Sequence, residues 1–145
     1  MMIMLWLRNV LGYIVVAWAS TASVRWLESD IAEKILLPNI TGIILALLAI
    51  NVSTISAIAV KLHEIGEKHQ VDFSASIAQF RLAISEQTAL ILISIVIAAL
   101  QTSKRLAVPE AILHCAGFAI FFASLHIFVD TSRGLLVVLF PEAER

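Results

Sequence analysis

Residues 40–60 read ITGIILALLAINVSTISAIAV, 21 consecutive positions without a charged side chain. At about 1.5 Å of rise per residue, a helix of that length crosses a hydrocarbon layer of roughly 30 Å. Lipid offers the backbone no hydrogen-bond partners, so the run must satisfy its own N–H and C=O groups, as a helix does. The solvent of this stretch is a bilayer, and the rest of the chain has to be arranged around that.

Composition points the same way. Of 145 residues 60% are hydrophobic and 14% are charged, where soluble domains carry roughly 25%, and mean hydropathy is +0.95. A net charge of -1 leaves no basic footprint for nucleic acid. The single cysteine, Cys115, excludes an intramolecular disulfide framework. Three to five spanning helices would use most of the chain and leave no room for a separate soluble catalytic domain. No Gly-rich phosphate loop, HExxH, CxxC or GxSxG occurs, so the expectation is a protein that is not an enzyme and binds no cofactor.

The pattern predicts an all-α membrane protein, a bundle of four transmembrane helices over about residues 5–26, 40–60, 84–102 and 109–129. In the first span Arg8 can snorkel to a headgroup, and Trp6, Tyr13, Trp18 and Trp26 are spread along it. Ala17-Trp18-Ala19 resembles a signal-peptide cleavage site, but no basic residue precedes the apolar block, which favours a retained span. Arg25 to Lys34 forms a charged connection, and Pro38 with Asn39 marks the start of the second span.

Past Val60 the second helix meets no breaker and turns polar, through Lys61, His63, Glu64, Glu67 and Lys68, while Ile58, Leu62 and Ile65 keep helical spacing. Glu64 and Lys68 are spaced for an i,i+4 ion pair worth about 0.3 kcal/mol. Asp72 can cap a new helix whose Phe73, Ile77, Phe80 and Ile84 form a facing stripe. Residues 61–86 therefore read as a helical hairpin extension between helices 2 and 3. Lys104 and Arg105 end the third span, and Pro109 with Glu110 opens the fourth, which Asp130 to Gly134 is expected to interrupt. The remaining 134–141 segment reads as interfacial. Counting Lys and Arg, six flank the hairpin side and four the other, which favours a cytoplasmic hairpin and cytoplasmic termini.

Polar residues inside the spans carry the functional signal. Gly42, Ala46, Ala49, Ser53, Ser56 and Ala57 make a small face suited to close helix approach. Asn51 and Thr54 lie one turn apart at mid-span, and Gln87, Ser94, Ala98 and Gln101 fall within about 60° of one another on the third helix. Such groups are either interhelical hydrogen-bonding residues or the lining of a water path, because an unpaired amide in lipid costs several kcal/mol. In a lone bundle the third-helix stripe packs on the second helix; in a ring of subunits it can face a central pore. Span four carries Ala116, Ala119 and Ala123, continuing into His126 and Asp130, a pair able to relay protons or to fix the helix end. Glu86 near the membrane boundary is a further proton or gating candidate. His114 beside Cys115 lacks the companions that zinc needs, and a bis-His haem would require His63 and His126 at one depth. No metal site is expected.

The layout resembles that of small prokaryotic four-helix phage-exclusion membrane proteins of the RexB type. The shared features are a lone first span, a second span running into a charged hairpin (KLHEIGEKH), a third entered past an acidic residue (Glu86), and a fourth ending in FFASLHIF. The resemblance implies an oligomeric bacterial inner-membrane pathway for ions that acts in anti-phage defence and is triggered by a cytoplasmic partner at residues 61–86. The hairpin here is balanced in charge, whereas that type's is strongly basic. The leading expectation is a homo-oligomeric channel or pore with Asn51, Thr54, Gln87, Ser94 and Gln101 as lining. The competing expectations are a non-conducting scaffold for a soluble partner and a small proton-coupled transporter using Glu86, His126 or Asp130.

Overall fold

The computed structural model describes the backbone of residues 2–70, 72–103 and 108–139 and the side chains of 9–68, 70, 72–103 and 108–134. The described residues form helices and no strands: α1 (Met2–Trp26), a π-helical turn (Ala32–Leu36) that runs straight into α2 (Leu37–His69), α3 (Ser74–Thr102) and α4 (Glu110–Leu139). Among the described residues three helical stretches, not the expected four, are long and apolar enough to cross a membrane: Ala32–Lys68, Ser74–Thr102 and Glu110–Gly134. Length does not exclude α1, but its described part carries Asn9, Tyr13, Ser20, Thr21, Ser23 and Arg25. The Arg8 side chain, Lys104, Arg105 and Pro141 lie outside the described residues.

Local chemistry sets each boundary. α1 ends where Glu28 enters the left-handed region (φ 50), with Ser29 N–H donating to the Val24 carbonyl at 2.9 Å and Glu28 N–H to Arg25 at 3.2 Å. This is the double-bonded helix stop usually built on glycine. The second helix begins earlier than Pro38. Pro38 cannot donate to the carbonyl four residues back, and the ladder just before it is widened, with Leu37 N–H bonded to the Ala32 carbonyl five residues back. α2 then continues past Val60 to His69 and stops at Gln70, also left-handed at φ 53. In its polar part Lys61 pairs with Glu64 at 2.9 Å and His63 with Glu67 at 3.3 Å, in place of the expected Glu64–Lys68 pair. Asp72 opens α3 by accepting from Ser74 N–H (2.8 Å) and Ser74 Oγ (3.0 Å). The interruption expected at Asp130 to Gly134 does not occur. Thr131 bonds the Ile127 carbonyl at 2.9 Å, and α4 runs on to Leu139, so the residues after Gly134 continue α4 as helix.

α4 packs against all three other helices, α2 and α3 also pack on each other, and α1 rests on α4. The buried faces follow a seven-residue rhythm: Leu37, Ile40, Ile44, Asn51, Ile55, Ile58 and Leu62 on α2, Gln87, Ser94 and Ile97 on α3, Leu113, Gly117, Ile120, Ser124 and Thr131 on α4. That rhythm is the seam of near-aligned, left-handed helix packing. Leu37, Ile40, Ile44, Ile97, Leu113 and Ile120 form the apolar core at the end away from the hairpin. At Gly117 a Cβ would overlap Leu37 Cδ2, so a larger residue there would have to displace the Leu37 side chain.

The small face of α2 is turned outward. Gly42, Ala46, Ala49, Ser53, Ser56 and Ala57 are exposed, opposite the buried seam. Three helices meeting in a core leave a volume that isoleucines fill and alanines do not, so the bulky face goes inward. Leu92 (61% exposed), Val60 (62%) and Ile112 (58%) point away from the bundle. So much exposed aliphatic surface suits lipid and not water.

Candidate functional site

Two groups of polar side chains occupy the bundle. The first is internal. Ser94 Oγ donates to the Ile91 carbonyl at 2.7 Å and sits 3.0 Å from the Thr41 hydroxyl, tying α3 to α2. Carried along this antiparallel pair, that contact sets Gln87 within about three residues, roughly 4.5 Å of height, of Asn51. α4 runs in the same direction as α2, and Gly117 faces Leu37 and Ile40, so Ser124 comes within about a turn and a half of the same level. Asn51 (1% exposed), Gln87 (0%) and Ser124 (0%) are fully enclosed, and neither atom of either amide nor the Ser124 hydroxyl has a hydrogen-bond partner. Leaving such groups unsatisfied costs on the order of 1–3 kcal/mol each.

The second group lines a cleft of about 760 Å³ that opens between α1 and α3 over a floor of α4. Tyr13 Oη lies 2.8 Å from His126 Nδ1, and the Asp130 carboxylate is 3.9 Å from His126 Nε2. Glu86 reaches the same cleft from α3. Its deeper wall, toward Ile93 and Ala119, is apolar. Ala119, Ala123, His126 and Asp130 thus share one face of α4 turned to the cleft, which Thr131 also borders, while Gly117 and Ser124 share the face turned to the core.

The residues singled out from sequence separate accordingly. Asn51, Gln87 and Ser94 lie within the α2–α3–α4 interior, and the third-helix stripe therefore takes the arrangement packed on α2. Thr54 is half-buried one turn beyond Asn51, and Gln101 is exposed at the end of α3. Glu86, His126 and Asp130 are brought together. His63 pairs within the hairpin and does not share the site of His126. Among the described residues no three His, Cys, Asp or Glu converge as metal ligands. Sequence reading passed over Ser124 and Tyr13. Ser124 had a signal, its seven-residue spacing from Gly117 and Thr131; Tyr13 had only its place as the one tyrosine of the chain.

These features define an all-helical chain, among the described residues, with three helices long and apolar enough to cross a membrane, a buried polar layer and a polar-mouthed lateral cleft. No family model matches the chain, and neither a curated protein nor a solved structure is similar to it.

Proposed function

We propose that this chain is a channel or pore-forming effector of a bacterial inner membrane, acting as a homo-oligomer of four-span subunits with α1 as the fourth span and the hairpin on the cytoplasmic side. The carrying observation is the unpaired layer of Asn51, Gln87 and Ser124. A folded membrane domain keeps such groups where water or a passing ion completes their bonds. Above the layer lies the polar hairpin; below it the Leu37–Ile40–Ile44–Ile97 cluster closes the way as a hydrophobic constriction, of the kind that gates by dewetting. The path so read runs through the subunit, with Ser94 and Thr54 beside it, and not along a shared axis. The hairpin is continuous with α2 and α3, so a cytoplasmic partner bound there has a rigid connection to the constriction. A role in anti-phage defence rests on the RexB-type resemblance.

Flux of a dye-reported ion from proteoliposomes tests this reading. Wild-type protein should leak above empty liposomes, and the pair Asn51→Leu with Gln87→Leu should abolish the leak while the protein stays folded. Leak unaltered by the pair removes the path. The Thr41–Ser94 bond favours a second reading, a non-conducting scaffold whose polar groups only hold helices together. Impermeant wild-type liposomes with partner capture through residues 61–86 would be its signature.

A further inference from the structure

The cleft between α1 and α3 has the volume of a small-molecule site, which typically measures about 300–1,000 Å³. Its chemistry is one-sided. Glu86 and Asp130 contribute two carboxylates, Tyr13 and His126 contribute hydrogen-bonding atoms, and no lysine or arginine is among the described residues that line it. The charged side chains lie toward the hairpin end of α3 and α4, whereas Ile93 and Ala123 belong to an apolar wall reaching deeper along the same helices. An inorganic cation has no use for that wall, and an anion or a neutral lipid tail gains nothing from two carboxylates. We infer that the cleft binds an amphiphilic organic cation, its charge between Glu86 and Asp130 and its apolar body along the α3–α4 groove. The opening between α1 and α3 admits such a molecule sideways, out of the lipid in which it partitions. Site and ligand are separate from the Asn51–Gln87–Ser124 layer, so the inference stands or falls without reference to conduction.

Tetraphenylphosphonium and its isosteric anion tetraphenylborate are suitable probes, since they differ in charge and little in shape. Equilibrium dialysis of the full chain in nanodiscs should give saturable binding of the cation, near one per chain. Glu86→Gln combined with Asp130→Asn should weaken it at least about tenfold, the loss expected when two close opposite charges are removed. Ala123→Phe, which leaves both carboxylates and fills the floor, should weaken it as well. Glu28→Gln, a carboxylate outside the cleft, should change nothing. The inference is overturned by cation binding that never saturates, by equal affinity for tetraphenylborate, or by binding insensitive to the two carboxylates. If the double variant does not fold, Glu86→Gln alone decides, because that half-buried side chain keeps its shape: unchanged cation affinity overturns the site, and weakened affinity supports it.

Discussion

Asn51 holds a position on α2 that isoleucine holds elsewhere on the same seam, at Ile44 and Ile58 seven residues to either side. An amide there has a meaning that depends on whether it is paired. If Asn51 and Gln87 join the helices, replacing either by leucine removes hydrogen bonds and destabilises the bundle. If they line a path and lack protein partners, as their geometry has it, leucine, which shares the branched shape of asparagine, relieves an unsatisfied group. Asn51→Leu should then stabilise by about 1–2 kcal/mol, read as a raised midpoint in detergent-induced unfolding, while ion flux falls. Destabilisation by that substitution would return these residues to the role of interhelical ties. From sequence, the presence of polar groups at mid-span was plain in ITGIILALLAINVSTISAIAV, but their pairing was not. Partners come from other helices, and only the packing of α2 on α3 decides that Ser94 meets Thr41 while the Gln87 amide finds no hydrogen-bond partner.

Helix boundaries depend on single residues, and the hairpin shows how. Asp72 accepts both Ser74 donors at the start of α3, and these bonds hold its carboxyl below the ordinary carboxylate range. A folded value below the unfolded one means the contribution is present above the unfolded value of about 3.9 and lost as pH falls through the lower folded value. Hydrogen exchange at the Ser74 to Ile77 amides should therefore accelerate as pH drops through that window relative to mid-α2 amides, once intrinsic rates are corrected. Asp72→Ala should show the acid-state exchange at every pH; exchange that keeps its pH step in the variant would assign the step to another group. The cap and the long hairpin were legible because breakers and caps act locally. The continuity of α4 was not, since Asp130, Thr131, Ser132, Arg133 and Gly134 read as a break. Helix propensity penalties of under about 1 kcal/mol per residue are overridden when Thr131 is packed and bonded within the bundle. Packing between elements is equally specific at Gly117. Gly117→Val should cost about 1–3 kcal/mol by overpacking Leu37, and Leu37→Ala should recover part of that in the double variant. Additive losses in the cycle would show that the two residues do not share this contact.

At the scale of the molecule, the outward small face of α2 is the surface that the fold leaves unused. Sequence reading assigned Gly42, Ala46, Ala49, Ser53 and Ser56 to helix contact, and within the subunit that contact is made by the opposite face. Periodicity identifies a face but not its partner, because a face of small residues and a face of isoleucines repeat with the same rhythm. Outward-facing positions elsewhere are bulky, as at Leu92, Ile95 and Val96 on α3. Small residues on one exposed face of a membrane helix allow two backbones to approach, and close packing is what drives association when lipid is as apolar as the side chains. The proposed homo-oligomer is accordingly expected to form α2 against α2. In a Cys115→Ser background, Ala49→Cys should form a disulfide-linked dimer in native membranes under mild oxidant, and Leu92→Cys should not. The same linkage should persist when the protein is diluted with excess lipid, since a contact made only by crowding disappears on dilution. Cross-linking at Leu92 without cross-linking at Ala49 would move the interface to α3. The α2 face would then be lipid-exposed, and the proposed path through each subunit would have to open without a neighbour's support.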